Sequence, residues 1–126
     1  MLQVLIVEDK AIFREEFKKW LHTRFPSMVI EEAVDGDEAL QKVHGSPPHL
    51  IFMDIRLPGA NGLQLTRKIK ADFPGIHIAI LTDYDFPEYR QAAFQYGADR
   101  FLVKNSFNYD EVEAFVESIC PGALAA

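Results

Sequence analysis

The chain has 126 residues and a single cysteine, Cys120. One thiol excludes an internal disulfide framework and an all-cysteine zinc site, and it makes a reducing, cytoplasmic location the simplest expectation. The four histidines, His22, His44, His49 and His77, are scattered without metal-ligand spacing, which argues against zinc. Long hydrophobic runs are missing too. The earliest apolar run, Leu2 to Val7, is interrupted by Gln3 and stops at Glu8-Asp9. It lacks a basic leader and is too short for a signal peptide or a membrane span. There is no cluster of Lys and Arg, and 13 basic residues against 19 acidic ones leave a formal charge of -6. Such a chain is by itself a poor partner for nucleic acid or an anionic membrane, but it is suited to holding a cation.

Low-complexity segments, long charge runs and Ser/Gly linkers are also lacking. One domain is therefore expected over residues 1–120, with 121–126 a C-terminal tail or the start of a linker. What is present is a rhythm. Apolar runs begin near Leu2, Met28, Leu50, Ile76 and Arg100, about two dozen residues apart, with amphipathic stretches between them. LQVLIV, LIFMD, IHIAIL and RFLV are nearly continuous, as expected of strands covered on both faces, whereas MVIEEAV is more polar and reads as an edge strand.

The intervening stretches carry helix signals. Phe13, Phe17, Trp20 and Leu21 lie on one side of the first, and Leu65, Ile69 and Phe73 recur at steps of four in the third. D-x-x-E boxes at Asp35–Glu38 and Asp85–Glu88, and Asn108-x-x-Glu111, mark the starts of the second, fourth and fifth. Five βα units with right-handed crossovers predict a parallel sheet with helices on both faces.

Ligands of such sheets sit at the carboxyl ends of the strands. There the sequence places Glu8-Asp9 after the first strand, Asp54 after the third, Thr82 after the fourth and Lys104 after the fifth. If the first, third and fourth strands are neighbours, three carboxylates converge. Two of them about 4 Å apart repel by roughly 4 kcal/mol at an effective dielectric near 20. One ammonium leaves a formal -2, which a divalent ion neutralises, and an all-oxygen donor set with waters suits Mg²⁺. A metal, an ammonium and a hydroxyl can each take one phosphoryl oxygen, which is the positioning that phosphoryl transfer needs, with Asp54 as nucleophile. Singly, each residue has a plainer reading: Asp9 as the cap of the first helix, Thr82 as a turn residue, Lys104 as a surface lysine.

The ordered set VEDKAIFR, LIFMDIRLPGANG, ILTDYD and GADRFLVKNS, with Asp54, Pro58 and Gly62 spaced D-x-x-x-P-x-x-x-G, resembles the response-regulator receiver domain of two-component signalling over residues 1–120. The resemblance implies a flavodoxin-like (βα)5 doubly wound sheet of order 2-1-3-4-5. It implies that Asp54 is the phosphoacceptor, that Glu8, Asp9, Asp54 and the main-chain carbonyl of Arg56 hold Mg²⁺, that Lys104 and Thr82 assist, and that Thr82 and Phe101 act as switch residues. Phe101 is otherwise a plain core phenylalanine. The implied partners are a sensor histidine kinase or a histidine phosphotransfer protein, together with a homodimer, and the domain would catalyse its own phosphorylation and dephosphorylation without being a conventional enzyme. Lys-Asn-Ser at 104–106 resembles receivers that carry a helix-turn-helix output domain.

Three positions depart from the family pattern. Asn105 stands where proline is frequent, so a cis bond after Lys104 is not expected. Leu57 stands where methionine is frequent. Asp83 follows Thr82 where a small residue is usual, and it either faces solvent or lines the entrance of the site. Three competing functions are weaker. A phosphorylation-independent interaction module leaves the set at the strand ends without a use. A flavodoxin-type electron carrier needs a phosphate loop where Glu8-Asp9-Lys10 stand. A phosphatase for external substrates needs a pocket that short loops do not supply.

Overall fold

In the computed structural model, which describes residues 1–123, helix and strand alternate along the chain. β1 is Gln3–Val7, α1 Ala11–Arg24, β2 Val29–Ala33, α2 Gly36–Gly45 and β3 Leu50–Met53. Two short strands follow, β4 Arg56–Leu57 and β5 Ala60–Asn61, then α3 Gly62–Asp72, β6 His77–Thr82, α4 Pro87–Gln95, β7 Arg100–Val103 and α5 Tyr109–Ile119. The main sheet is parallel in the order β2-β1-β3-β6-β7, which is 2-1-3-4-5 when its own five strands are counted. This is the expected flavodoxin-like fold.

Alternation along the strands builds the two layers. Leu5, Val7, Ile51, Met53, Ile78, Ile80 and Phe101 point to one face, where α2, α3 and α4 supply Ala39, Val43, Leu65, Ile69 and Ala93. Val4, Ile6, Leu50, Phe52, Ala79 and Leu102 point to the other, against Phe17 and Leu21 of α1 and Val112, Phe115 and Val116 of α5. The Phe17 ring meets Phe52 edge-on at 4.9 Å between centroids, tying α1 to the middle of the sheet. β2 lies at the edge and alternates exposed and half-buried residues before the buried Ala33, as its polar sequence requires.

The helix starts follow the sequence signals with two corrections. Asp35 caps α2 by accepting the Glu38 N–H at 2.8 Å, and the Glu38 carboxylate reaches back to the Val34 N–H at 2.7 Å. Asn108 caps α5 through the Asp110 N–H at 2.8 Å. Asp85, expected to cap α4, does not: Phe86 occupies the cap position, Pro87 begins the helix, and the Asp85 carboxylate takes the Arg90 guanidinium at 3.0 Å instead. Proline in the first turn already fixes the backbone and removes one orphan donor, so a side-chain cap is dispensable. Asp9 does not cap α1 either. Lys10 holds that position without a side-chain bond, which leaves the Asp9 carboxylate available to the site.

The β4–β5 hairpin is the element that periodicity did not predict, because strands of two residues have no measurable period. Its turn is Pro58-Gly59, with Gly59 at φ +67°. Gly62 then opens α3 in a position closed to any side chain: a Cβ there would lie 1.8 Å from the Asp54 carbonyl oxygen. Its N–H instead donates to the Ile55 carbonyl at 2.6 Å. The Asp54, Pro58, Gly62 spacing thus records one turn and one backbone crossing.

Candidate phosphoryl and metal site

The carboxyl ends of β1, β3, β6 and β7 form one edge of the sheet. Backbone bonds extend the ladder past the strands and fix the residues there. The Glu8 N–H donates to the Ala33 carbonyl at 2.9 Å, Asp54 to Val7 at 3.0 Å and Lys104 to Thr82 at 2.8 Å. Glu8, Asp9 and Asp54 each bring a carboxylate oxygen to within 4.8 Å of the others. Glu8 and Asp54 are buried and Asp9 is exposed, so the cluster has a closed floor and an open mouth.

The Lys104 ammonium is buried in this floor. It is in direct contact with Glu8 Oε1, lies 3.5 Å from Asp54 Oδ2 and 4.0 Å from Asp83 Oδ2, and stands 4.8 Å from the centroid of the Phe13 ring. Glu8 is further anchored through Oε2, which accepts the Lys10 N–H at 3.0 Å, while its backbone carbonyl accepts from Arg14 at 2.8 Å. Asp54 Oδ1 accepts the Ile55 N–H at 2.8 Å.

Burial, and after it the charge of Glu8, pushes the Asp54 carboxyl up to about 7, against the downward pull of Lys104 and of the Ile55 N–H. One ammonium therefore does not neutralise the floor. Three clustered carboxylates, two of them buried, form an all-oxygen set with uncompensated repulsion, and this donor chemistry fits a hard divalent ion of the Mg²⁺ type.

Thr82 is fully buried at the end of β6, and its Oγ1 accepts the Tyr84 N–H at 3.1 Å, which leaves its own proton to donate. This is at once the turn contact and a hydroxyl held beside the acidic edge. Phe101 is buried in β7 with the Arg90 guanidinium 4.6 Å from its ring centroid. The Arg56 side chain leaves the site altogether. Its guanidinium lies 4.0 Å from the Tyr84 ring centroid, and Nη2 donates to the Tyr89 hydroxyl at 3.5 Å. Leu57 is buried in the core, and the peptide between Lys104 and Asn105 is trans.

Asp83 lines the rim. It is ion-paired to Lys10 and faces Lys104. The hydrogen bond from Lys10 holds the Asp83 carboxyl below the usual carboxylate range, and the same bond raises the Lys10 ammonium. Sequence reasoning found Asp83 but missed Lys10: its position after Glu8-Asp9 at the end of β1 puts it on the edge that Asp83 shares, without saying that the two pair.

Comparison with known proteins identifies the family of the chain. Among curated proteins, oxygen regulatory protein NreC of Staphylococcus haemolyticus (strain JCSC1435) is 37% identical over 106 residues, covering 83% of this chain and 49% of that protein. Transcriptional regulatory protein DegU of Brevibacillus brevis is 28% identical over 118 residues, covering 94% and 48%. The chain spans about half the length of these curated relatives. Among solved structures, response regulator TrrA of Thermotoga maritima, crystallised in complex with Mg(2+)-BeF, superposes with a TM-score of 0.82 at 33% identity, covering 94% of this chain and 99% of that one. The family model of the response regulator receiver domain matches residues 4–117, and the chain belongs to that family.

Proposed function

We propose that this receiver domain is a phosphorylation-controlled switch with Asp54 as its phosphoacceptor. The observation that carries the reading is the placement of Asp54 on the closed floor of an acidic cluster, 3.5 Å from a buried ammonium. Glu8, Asp9, Asp54 and the Arg56 carbonyl would hold Mg²⁺, which when bound supplies positive charge to the phosphoryl oxygens. An Asp54 carboxylate oxygen attacks the phosphorus of a phosphohistidine. The P–O bond forms as the P–N bond breaks, and the electron pair leaves on the imidazole nitrogen, which takes up a proton. Lys104 balances the charge of the transferred group, and the Thr82 hydroxyl donates to one of its oxygens. Dephosphorylation is attack by water on the same phosphorus, which returns the Asp54 carboxylate and releases phosphate.

The donor is a sensor histidine kinase or a histidine phosphotransfer protein, and the working compartment is the cytoplasm. Among the described residues no helix is long and apolar enough to cross a membrane. Modification adds negative charge and strong acceptors beside Thr82, and Thr82 and Phe101 bias the surface of α4, β7 and α5 toward a partner or a second copy of the chain. The half-length match to a transcriptional regulatory protein supports an output in transcription delivered by residues outside the matched region.

The test is incubation with Mg²⁺ and a small phosphodonor, followed by mass spectrometry. Gain of one phosphoryl group by the wild type and none by Asp54→Asn is the expected result. Equal labelling of both proteins refutes Asp54 as the acceptor, and labelling of neither refutes the switch and leaves a phosphorylation-independent interaction module.

A further inference from the structure

We infer that Lys10 and Asp83 form a charge-compensating pair at the mouth of the site that sets how strongly it attracts the dication and how readily it admits an anionic phosphodonor. The inference rests on the phosphoacceptor reading above and adds to it a pair of residues that tune rate and affinity without touching the reacting atoms.

Four observations support it. The pair sits where ligands must pass: Lys10 and Asp83 side chains are 58% and 40% exposed, whereas Lys104 behind them is 5% exposed. It spans the mouth, because Lys10 precedes α1 on the β1 side and Asp83 follows β6 on the other. It is wired to the floor at both ends. The Lys10 N–H holds Glu8 Oε2, and Asp83 Oδ2 stands 4.0 Å from the Lys104 ammonium that also serves Asp54. Finally, Asp83 lies between Thr82 and Tyr84, the two residues joined by the 3.1 Å bond to the Thr82 hydroxyl.

The charge count gives the pair its function. Glu8, Asp9, Asp54 and Lys104 carry a formal -2, and Lys10 with Asp83 adds nothing to that total. An acidic residue beside Thr82, taken alone, would repel a phosphodonor. Its own lysine cancels that penalty at long range while leaving two opposite charges that act separately at short range. An exposed pair of this kind contributes little to folding, because solvent screens it and two long side chains lose freedom in forming it. Its effect is therefore expected in binding and rate, where a charge at a mouth focuses or repels an ion.

Removing one member uncovers the other. Asp83→Asn leaves the Lys10 ammonium unopposed at the rim, so Mg²⁺ should bind more weakly and an anionic donor should react faster. Lys10→Met exposes Asp83, so Mg²⁺ should bind more tightly and the donor should react more slowly. Each change is expected at roughly three- to tenfold at low ionic strength, shrinking toward unity near 1 M salt, where the Debye length is about 3 Å. The double variant Lys10→Met/Asp83→Asn should fall between the two single variants, and Lys10→Arg should restore most of the wild-type behaviour.

The experiment is isothermal titration of each intact chain with MgCl₂, together with the phosphorylation rate by acetyl phosphate at saturating Mg²⁺, each at low and high salt. Opposite shifts of Mg²⁺ affinity and phosphorylation rate within each single variant, reversed between the two variants, support the pair. Shifts in the same direction in both variants, shifts that persist at high salt, or affinities and rates within twofold of wild type overturn it. If the wild type takes up no phosphoryl group, the phosphoacceptor reading fails, and the Mg²⁺ affinities alone still decide whether the pair acts on the site.

Discussion

Asp54→Asn, the substitution that abolishes the proposed acceptor, should make the metal-free protein more stable, and by an amount that depends on pH in a defined way. The folded carboxyl titrates near 7, whereas its ordinary value is 3.8. The folded chain therefore holds this proton more tightly than the unfolded chain. Below about pH 4 both states are protonated and the residue carries no electrostatic cost. Between about pH 4 and 7 the unfolded chain ionises first, so stability falls as pH rises, at a limiting slope of about 1.4 kcal/mol per pH unit. Above about pH 7 both states are ionised and the cost is fully expressed, at about 4 kcal/mol. The asparagine side chain keeps the shape and the acceptor for the Ile55 N–H but never ionises.

The variant should thus match the wild type near pH 4 and exceed it by about 4 kcal/mol near pH 8. Urea unfolding of both proteins in EDTA across this range reads the difference directly, and saturating Mg²⁺ should reduce it at the alkaline end. A difference below about 0.5 kcal/mol at every pH would overturn this account, because the buried charge would then be compensated by groups other than those described.

Two further substitutions test the frame of the site. Gly62→Ala drives a methyl group into the Asp54 carbonyl, where 1.8 Å is available, so the backbone must shift; a loss of more than about 3 kcal/mol by urea unfolding is expected, and a neutral result would disprove the crossing. Lys104→Met leaves Glu8 and Asp54 buried without their ammonium, so stability near pH 8 should drop by about 3–5 kcal/mol and recover on acidification; a pH-independent change would show that the lysine acts by packing alone.

Periodicity and punctuation made much of this molecule legible. The five apolar runs are the five strands of the main sheet, and the stripe of Phe17 and Leu21 or of Val112, Phe115 and Val116 is the buried side of its helix. Glu8, Asp54 and Lys104 were readable because each stands where an apolar run stops, and in a parallel sheet those stops share an edge. The β4–β5 hairpin was not readable, since its four strand residues carry no pattern and its turn looks like any Pro-Gly. Nor was the choice of Phe86 over Asp85 as the α4 cap, because adjacent residues offer the same local signal and Pro87 in the first turn makes a side-chain cap dispensable. The Lys10–Asp83 contact joins residues 73 positions apart, and no local rule reports which of several exposed lysines a carboxylate will choose.

The close passage of Gly62 beneath Asp54 also divides the site mechanically. On the α3 side the chain is bolted down: main chain rests on main chain, with no side chain between to rotate or compress. On the α4 side, Thr82, Asp83 and Tyr84 are kept in place by a hydroxyl, an ion pair and a stacked guanidinium, each of which can exchange partners at modest cost. The chain around Asp54 therefore has an unyielding neighbour on one flank and exchangeable ones on the other.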